Sequence, residues 1–263
     1  VVIGDLVGEG RTAEVFEYGP DRVVKLLRRG FGSASLLLEV EKAKAAVEAG
    51  APAPAVYEIV QMEDRLGVVF ARADGRSMLD AVIDGADDVE FFAEQAAVLH
   101  DEVLHCRSTD LPDVKDRLAE RIGLSGQLTQ GERDLATRSL IGLPDDDSLL
   151  HGDFHPGNIQ LTSDGPVVID WIDAARGAPA ADIARSMWLV SSAALPPGLD
   201  ARQHLAEMVI RFRTAYFRRV LALRGLNEPD VHAWQLPVLA ARLSEGIDHE
   251  EAALVSAIRT LLD

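Results

Sequence analysis

Apolar and polar residues alternate through the first quarter of the chain. Val1 to Gly8, Ala13 to Gly19 and Arg22 to Leu27 are short β-branched or alternating runs, parted by Gly, Pro and Asp, and each predicts a strand. From Ser33 the period lengthens. Leu36, Val40, Ala43 and Val47 recur at helical spacing, with Ser33 placed to cap the helix and Gly50 to stop it. Two more strands are expected over Ala55 to Met62 and Leu66 to Ala73, joined by the polar Glu63-Asp64-Arg65 turn. The order β-β-β-α-β-β predicts a small, mostly antiparallel sheet with one helix, ending at Asp74-Gly75.

Beyond Gly75 the pattern turns helical. Met78 to Ile83, Glu90 to Cys106 and the glycine-interrupted stretch from Val114 to Leu143 predict helices. Asn158 to Leu161 and Pro166 to Asp170 read as a strand pair turned by Ser163-Asp164-Gly165. From Ala180 onward three or four amphipathic helices are expected, broken by Pro196-Pro197, Pro229 and Gly246. The expected class is α+β in two lobes, a sheet-rich one over residues 1–74 and a larger helical one over 75–263, with a hinge near residues 71–75.

Composition narrows the partners. The net charge of −17 argues against a nucleic-acid phosphate backbone as ligand, which would call for clustered Lys and Arg. It serves solubility first and is compatible with a cationic substrate. The single cysteine, Cys106, excludes an internal disulfide and a multi-cysteine zinc site, and no activating motif surrounds it. No apolar run approaches the roughly 18 residues of a membrane span, and no signal-peptide pattern opens the chain, so a cytoplasmic protein without a membrane partner is expected.

Candidate chemistry begins at Gly8-Glu9-Gly10-Arg11-Thr12. Two glycines between strands let backbone approach a bound group and lend N–H donors to phosphate oxygens, although the stretch taken alone reads better as an ordinary hairpin turn. In Val23-Val24-Lys25-Leu26-Leu27, Lys25 shares a face with Val23 and Leu27, so it either snorkels at an edge or meets an anion. Glu39, bordering the sheet-facing side of the following helix, is the candidate partner; Glu41 lies two positions off that face.

The segment His151-Gly-Asp-Phe-His-Pro-Gly-Asn158 admits two readings. As a zinc-hydrolase set, His151, Asp153 and His155 would be ligands, but His100, His105, His204, His232 and His249 show no spacing that would complete it. As His-x-Asp-x-x-x-x-Asn it matches a phosphotransfer loop, in which the Asp meets an acceptor hydroxyl and the Asn holds magnesium. That loop requires a second carboxylate on a following strand, and Val167-Val168-Ile169-Asp170 supplies one.

The order of glycine loop, strand lysine, helix glutamate, His-x-Asp loop and strand aspartate resembles the protein-kinase-like fold. The forms "HGDFHPGNI" and "VVIDWIDAARGAPAADIAR" resemble the aminoglycoside phosphotransferase and choline-kinase-like branch, over nearly the whole chain. The resemblance implies that Asp153 is catalytic and that Asn158 and Asp170 bind Mg2+. It also implies that Lys25 holds the ATP phosphates with Glu39 bracing it, that Gly8, Glu9, Gly10, Arg11 and Thr12 cover them, and that Phe70, Ala71 and Arg72 form the hinge at the adenine. His151 and Asp182 become supports of the loop, with His155 assisting. Gly177-Ala178-Pro179 departs from the branch's Gly-Asp-Pro at Ala178, which touches a loop contact and no catalytic role.

Two other readings remain: a protein Ser/Thr kinase and a non-catalytic nucleotide-binding module. The eleven residues between Asp170 and Asp182 contain no Ser, Thr or Tyr, which disfavours a phosphorylated activation loop and favours a small-molecule hydroxyl acceptor. The presence of Lys25, Asp153, Asn158 and Asp170 together disfavours a non-catalytic module. Asp173, Glu245, Asp248, Glu250 and Glu251 are candidates to meet amino groups of an aminoglycoside, another basic antibiotic or an amino sugar. Trp188, Tyr216 and Trp234 are too widely spaced to suggest a choline cage. ATP is the expected nucleotide, with GTP left open.

Overall fold

A computed structural model describes residues 3–10, 12–30, 32–85, 88–191 and 203–263. The alternating first quarter forms strands β1 (Leu6–Glu9), β2 (Ala13–Glu17) and β3 (Arg22–Leu27). Helix α1 (Ser33–Glu48) and strands β4 (Val56–Met62) and β5 (Arg65–Ala71) follow. The sheet order is β1-β2-β3-β5-β4, antiparallel throughout. Period two divides β3 as expected. Val24 and Leu26 pack with Val69 on one face, whereas Leu27 joins Leu36, Val40 and Ala43 of α1 in the main core.

Ser33 does not cap α1. Gly32 takes the capping position with extended φ −75 and ψ 149, and Ser33 is already helical. Gly50 does stop the helix, in the left-handed region at φ 84, and the Ala51 amide closes back on Ala46 O at 3.0 Å.

The chain leaves the first sheet at Ala71 and enters a second one at β6 (Gly75–Ser77), which pairs with β8 (Ile159–Thr162), itself paired with β9 (Gly165–Val168). A Cβ on Gly75 would lie 2.0 Å from Leu161 O, so only glycine permits this crossing. A third pair joins β7 (Ser148–Leu150) to β10 (Ala175–Gly177). Strand β9 ends at Val168, two residues short of the aspartate expected to terminate it.

Helices α2 (Met78–Asp84), α3 (Val89–His105), α4 (Val114–Leu124) and α5 (Gln130–Ser139) precede β7. Five helices rather than three or four follow β10 among the described residues: α6 (Pro179–Leu189), α7 (Gln203–Arg224), α8 (Glu228–His232), α9 (Gln235–Arg242) and α10 (Asp248–Leu262). Pro229 starts α8 instead of breaking a helix, since its missing N–H falls in the first turn behind the Asn227–Asp230 capping box. Pro196-Pro197 lies outside the described residues. No helix among those described is long and apolar enough to cross a membrane.

Lys42 ties α1 to the segment after Asp170, its Nζ donating to Ile172 O at 2.7 Å. Burial, then the positive charge of Arg117, lowers its pKa to about 7 against the partial compensation of Asp173. The unfolded chain therefore binds an extra proton between about pH 7 and the ordinary lysine range, and stability should rise with pH across that window. Lys42→Met is expected to remove this rise. Urea midpoints should favour the variant most near pH 7 and least near about pH 10; parallel curves for both proteins would contradict it.

Candidate active site

The segment 151–158 leaves β7 and bends twice. Gly152 adopts φ +78, and a Cβ there would lie 2.2 Å from Asp173 O, so glycine alone lets the loop press onto the segment before β10. Asp182 in the first turn of α6 fixes the loop's entry: its carboxylate accepts the amides of His151 at 2.7 Å and Gly152 at 2.8 Å. His100 of α3 lies 3.1 Å from the same carboxylate and also bonds Tyr216 of α7. Helices α3, α6 and α7 thus converge on two loop amides.

His151 is buried with both ring nitrogens engaged. Nε2 donates to Ile169 O at 3.0 Å, and Nδ1 accepts the Asp153 amide at 3.2 Å. Burial pushes its pKa down and keeps the ring neutral. His155 spends Nδ1 on the Gly157 amide at 3.1 Å. Neither imidazole is arranged as a ligand, and among the described residues no group of three or more His, Cys, Asp or Glu could hold a metal. The zinc reading therefore fails.

Asp153 is gripped on both oxygens. Asn158 Nδ2 donates to Oδ2 at 3.1 Å and to the Asp153 carbonyl at 2.9 Å; Arg185 Nη2 reaches Oδ1 at 3.4 Å, and His155 Nε2 stands 3.7 Å from Oδ2. Burial alone would raise the carboxyl. The nearby His155 imidazole and the Arg185 guanidinium outweigh it and hold Asp153 well below the usual carboxylate range. Such a group is a weak base that can orient a hydroxyl.

Lys25 Nζ donates to Glu39 Oε1 at 2.6 Å and to Asp170 Oδ1 at 3.1 Å. Burial would lower the lysine, but the two carboxylates overcome it and raise its pKa. Glu39 is buried and Glu41 exposed, as the helical phase predicts. Asp170 reaches Lys25 because the chain turns sharply after β9. Its backbone is left-handed at φ 65 and ψ 66, a conformation that Asp tolerates better than most residues. The Ile169 amide bonds Asn158 O at 2.9 Å, so Asp170 is tied beside Asn158. The expected strand-terminal aspartate is thus a turn residue, and its carboxylate is 40% exposed while paired with Lys25.

The expected phosphate loop is a hairpin turn fastened by Arg28, which donates to Gly10 O at 3.0 Å and Glu9 Oε2 at 2.9 Å, while its amide bonds Thr12 O at 2.8 Å. Gly8 lies half-buried in β1, and Arg11 falls outside the described residues. At the expected hinge, Phe70 packs in the core. The amides of Ala71 and Arg72 are engaged by Ala55 O at 2.8 Å and Asp21 O at 2.9 Å, so other groups of this segment would have to meet an adenine edge.

The sequence reading missed Arg185, His100, Arg117 and Arg121. Arg185 lies one helical turn after Asp182, and Arg117 and Arg121 are spaced i, i+4 on α4, so helical phase could have put them on the inward faces. Arg185 also donates to Gly152 O and to Glu245 Oε1, the latter at 2.8 Å. Arg185→Met is expected to lower kcat about 10- to 100-fold without changing nucleotide Kd, and Arg185→Lys to recover part of the loss. Steady-state kinetics beside a nucleotide titration would test this; an unchanged kcat would contradict it.

Of the carboxylates expected to meet amino groups, three are already committed. Asp173 pairs with Arg117, Arg121 and Arg185; burial would raise it, but those charges bring it down to about 2. Glu245 pairs with Arg121, Arg185 and Arg242, and Glu250 with Arg242 and the Trp188 indole. Asp248 and Glu251 are solvated at the start of α10. Tyr216 and Trp234 are buried in the core, so they form no cage with Trp188.

The profile of the phosphotransferase enzyme family matches residues 6–223. Solved structures with the same fold include a thermostable mutant of aminoglycoside phosphotransferase APH(4)-Ia in ternary complex with ADP and hygromycin B. It is 16% identical at a TM-score of 0.65, covering 98% of this chain and 93% of that one. Amicoumacin kinase hAmiN with AMP-PNP, Ca2+ and Ami matches at 16% identity and a TM-score of 0.59, covering 98% and 86%. A choline/ethanolamine kinase family protein from Mesorhizobium loti matches at 15% identity and a TM-score of 0.61, covering 100% and 88%. At these identities the likeness concerns the fold alone. No curated protein sequence matches.

Proposed function

The chain belongs to the phosphotransferase enzyme family, and from that premise we propose that it transfers the γ-phosphoryl group of ATP, with Mg2+, to a hydroxyl of a small molecule. The observation that carries this reading is the junction at Lys25. One ammonium joins Glu39 of α1 to Asp170, and Asp170 is held beside Asn158, whose amide in turn holds Asp153. Nucleotide-bearing structures of the same fold, with ADP or with AMP-PNP and Ca2+, support it.

In this reading residues 1–74 bind the nucleotide and 75–263 carry the Asp153 loop and the acceptor. Lys25 meets phosphate oxygens, Glu39 keeps it extended, and the turn from Gly8 through Glu9, Gly10, Arg11 and Thr12 lies over the phosphates. Phe70, Ala71 and Arg72 border the adenine. The donor set suits a hard cation. Asn158 donates through Nδ2 to Asp153, so its Oδ1 would be the atom to meet the ion, and Asp170, which accepts from Lys25 through Oδ1, would add a carboxylate oxygen. When bound, magnesium neutralises phosphate charge. Asp153 orients the acceptor hydroxyl and takes its proton late, as befits a carboxylate so weakly basic.

The path from Asp170 to Asp182 is a single 3-10 turn, the short strand β10 and the start of α6. It offers no platform for a peptide, which supports a small acceptor over a protein. An ADP-release assay with Mg2+ tests the proposal across amino sugars, neutral polyols, basic antibiotics, choline-like alcohols and protein substrates. Turnover of a small alcohol is expected, and turnover of protein alone would overturn it.

A further inference from the structure

We infer that Lys42 is a positioning residue for the proposed metal site: by holding Ile172 O, it keeps the Asp170 turn in register with the helix that carries Glu39. This rests on the reading of Asp170 as a magnesium ligand.

The segment around Asp170 is fastened on two sides in alternation. On the side of the first sheet and α1, the Val168 amide donates to Pro52 O at 2.7 Å. There too, Asp170 Oδ1 accepts from Lys25 at 3.1 Å and Ile172 O accepts from Lys42 Nζ at 2.7 Å. On the side of the Asp153 loop, the Ile169 amide donates to Asn158 O at 2.9 Å, and Ile169 O accepts from His151 Nε2 at 3.0 Å. Asp170 itself is left-handed at φ 65 and ψ 66, and a non-glycine residue stays in that region only where its surroundings over-determine it. Lys42 supplies the tie on the far side of the turn. It lies one helical turn after Glu39 and is buried like it, so a single helix sets both the partner of Lys25 and the anchor of Ile172.

Stability does not account for a lysine at this place. The residue is 3% exposed, and burial and the charge of Arg117 both work against its ammonium. An apolar side chain of the same length would fill the space without that cost. What the lysine alone brings is an N–H at the end of a long chain, aimed at Ile172 O. The amine keeps such a donor whether charged or neutral. Groups that hold a metal ligand in place commonly carry about 10- to 100-fold in metal affinity. Lys25 and Glu39 bond each other without Lys42, so its loss should reach the metal and spare the nucleotide.

The test compares the full chain with Lys42→Met, taking Mn2+ as the metal probe and ADP as the nucleotide. The variant is expected to keep a cooperative melting transition and a metal-free ADP Kd within about twofold of the parent. Electron paramagnetic resonance of free Mn2+ should show its affinity for the ADP complex falling about 10- to 100-fold. A Cys106→Ser chain carrying Lys42→Cys supplies the rescue. Alkylation with 2-bromoethylamine rebuilds a lysine-length amine and should return Mn2+ affinity to within about threefold of the parent. Alkylation with 1-bromopropane gives the same length without the amine and should not. Parent-like Mn2+ affinity in Lys42→Met, or equal recovery with the two alkyl groups, overturns the inference and leaves the phosphotransferase reading standing. Loss of the melting transition in Lys42→Met and in the propyl form shows a residue that serves the fold itself, which overturns it as well. If the parent complex with ADP binds no Mn2+, the metal reading fails and takes the inference with it.

Discussion

Asp153→Asn is expected to lower kcat by about 10^3-fold while leaving nucleotide Kd within about twofold. The amide preserves the shape of the side chain, and its oxygen can still accept from Asn158, so the loop should keep its course. What disappears is the charge. Arg185, anchored on Gly152 O and Glu245 and paired with Asp173, loses one of its carboxylate partners, and the acceptor hydroxyl loses the group that aligns it and receives its proton. None of the contacts around Lys25 includes Asp153, which is why nucleotide affinity should survive. Pre-steady-state ADP release together with an equilibrium nucleotide titration separates the two effects. Near-normal turnover in the variant would remove Asp153 from the mechanism.

Asp170→Asn is the sharper probe of the proposed metal site. Alanine there would add strain, since the backbone is left-handed at φ 65, whereas asparagine tolerates that region. The variant should fold, because Lys25 keeps Glu39 at 2.6 Å and Lys42 keeps its bond to Ile172 O. Activity at millimolar Mg2+ should fall by at least about 10^3-fold, and the metal concentration for half-maximal activity should rise at least about tenfold. Circular dichroism and the melting transition should remain close to those of the parent. Retained activity with an unchanged metal dependence would exclude Asp170 as a ligand.

Most of the first sheet could be read from the sequence because it is built from local rules. Period two separates Val24 and Leu26 from Lys25, and period 3.6 turns Glu39 inward and Glu41 outward. The His-x-Asp-x-x-x-x-Asn spacing singles out Asp153 and Asn158 because one short loop holds both. The errors have equally physical causes. Ser33 resembled a cap, but its backbone became helical and Gly32 took the position. The strand leading to Asp170 stops early because the chain must turn left-handed to carry that carboxylate back to Lys25.

The acidic residues mark the limit of one-dimensional reading. Glu245 and Glu250 look like solvated or ligand-facing carboxylates along a polar stretch, yet the fold closes them onto arginines from α4, α6 and α9. Periodicity and motif spacing act over a few residues, so the chain alone indicated most of its elements, the Asp153 loop and the order of its chemical groups. Which charges neutralise one another depends on contacts between residues up to 145 positions apart, as Lys25 and Asp170 are. Coulomb attraction and desolvation follow distance and burial in space, and only the packed structure supplies those.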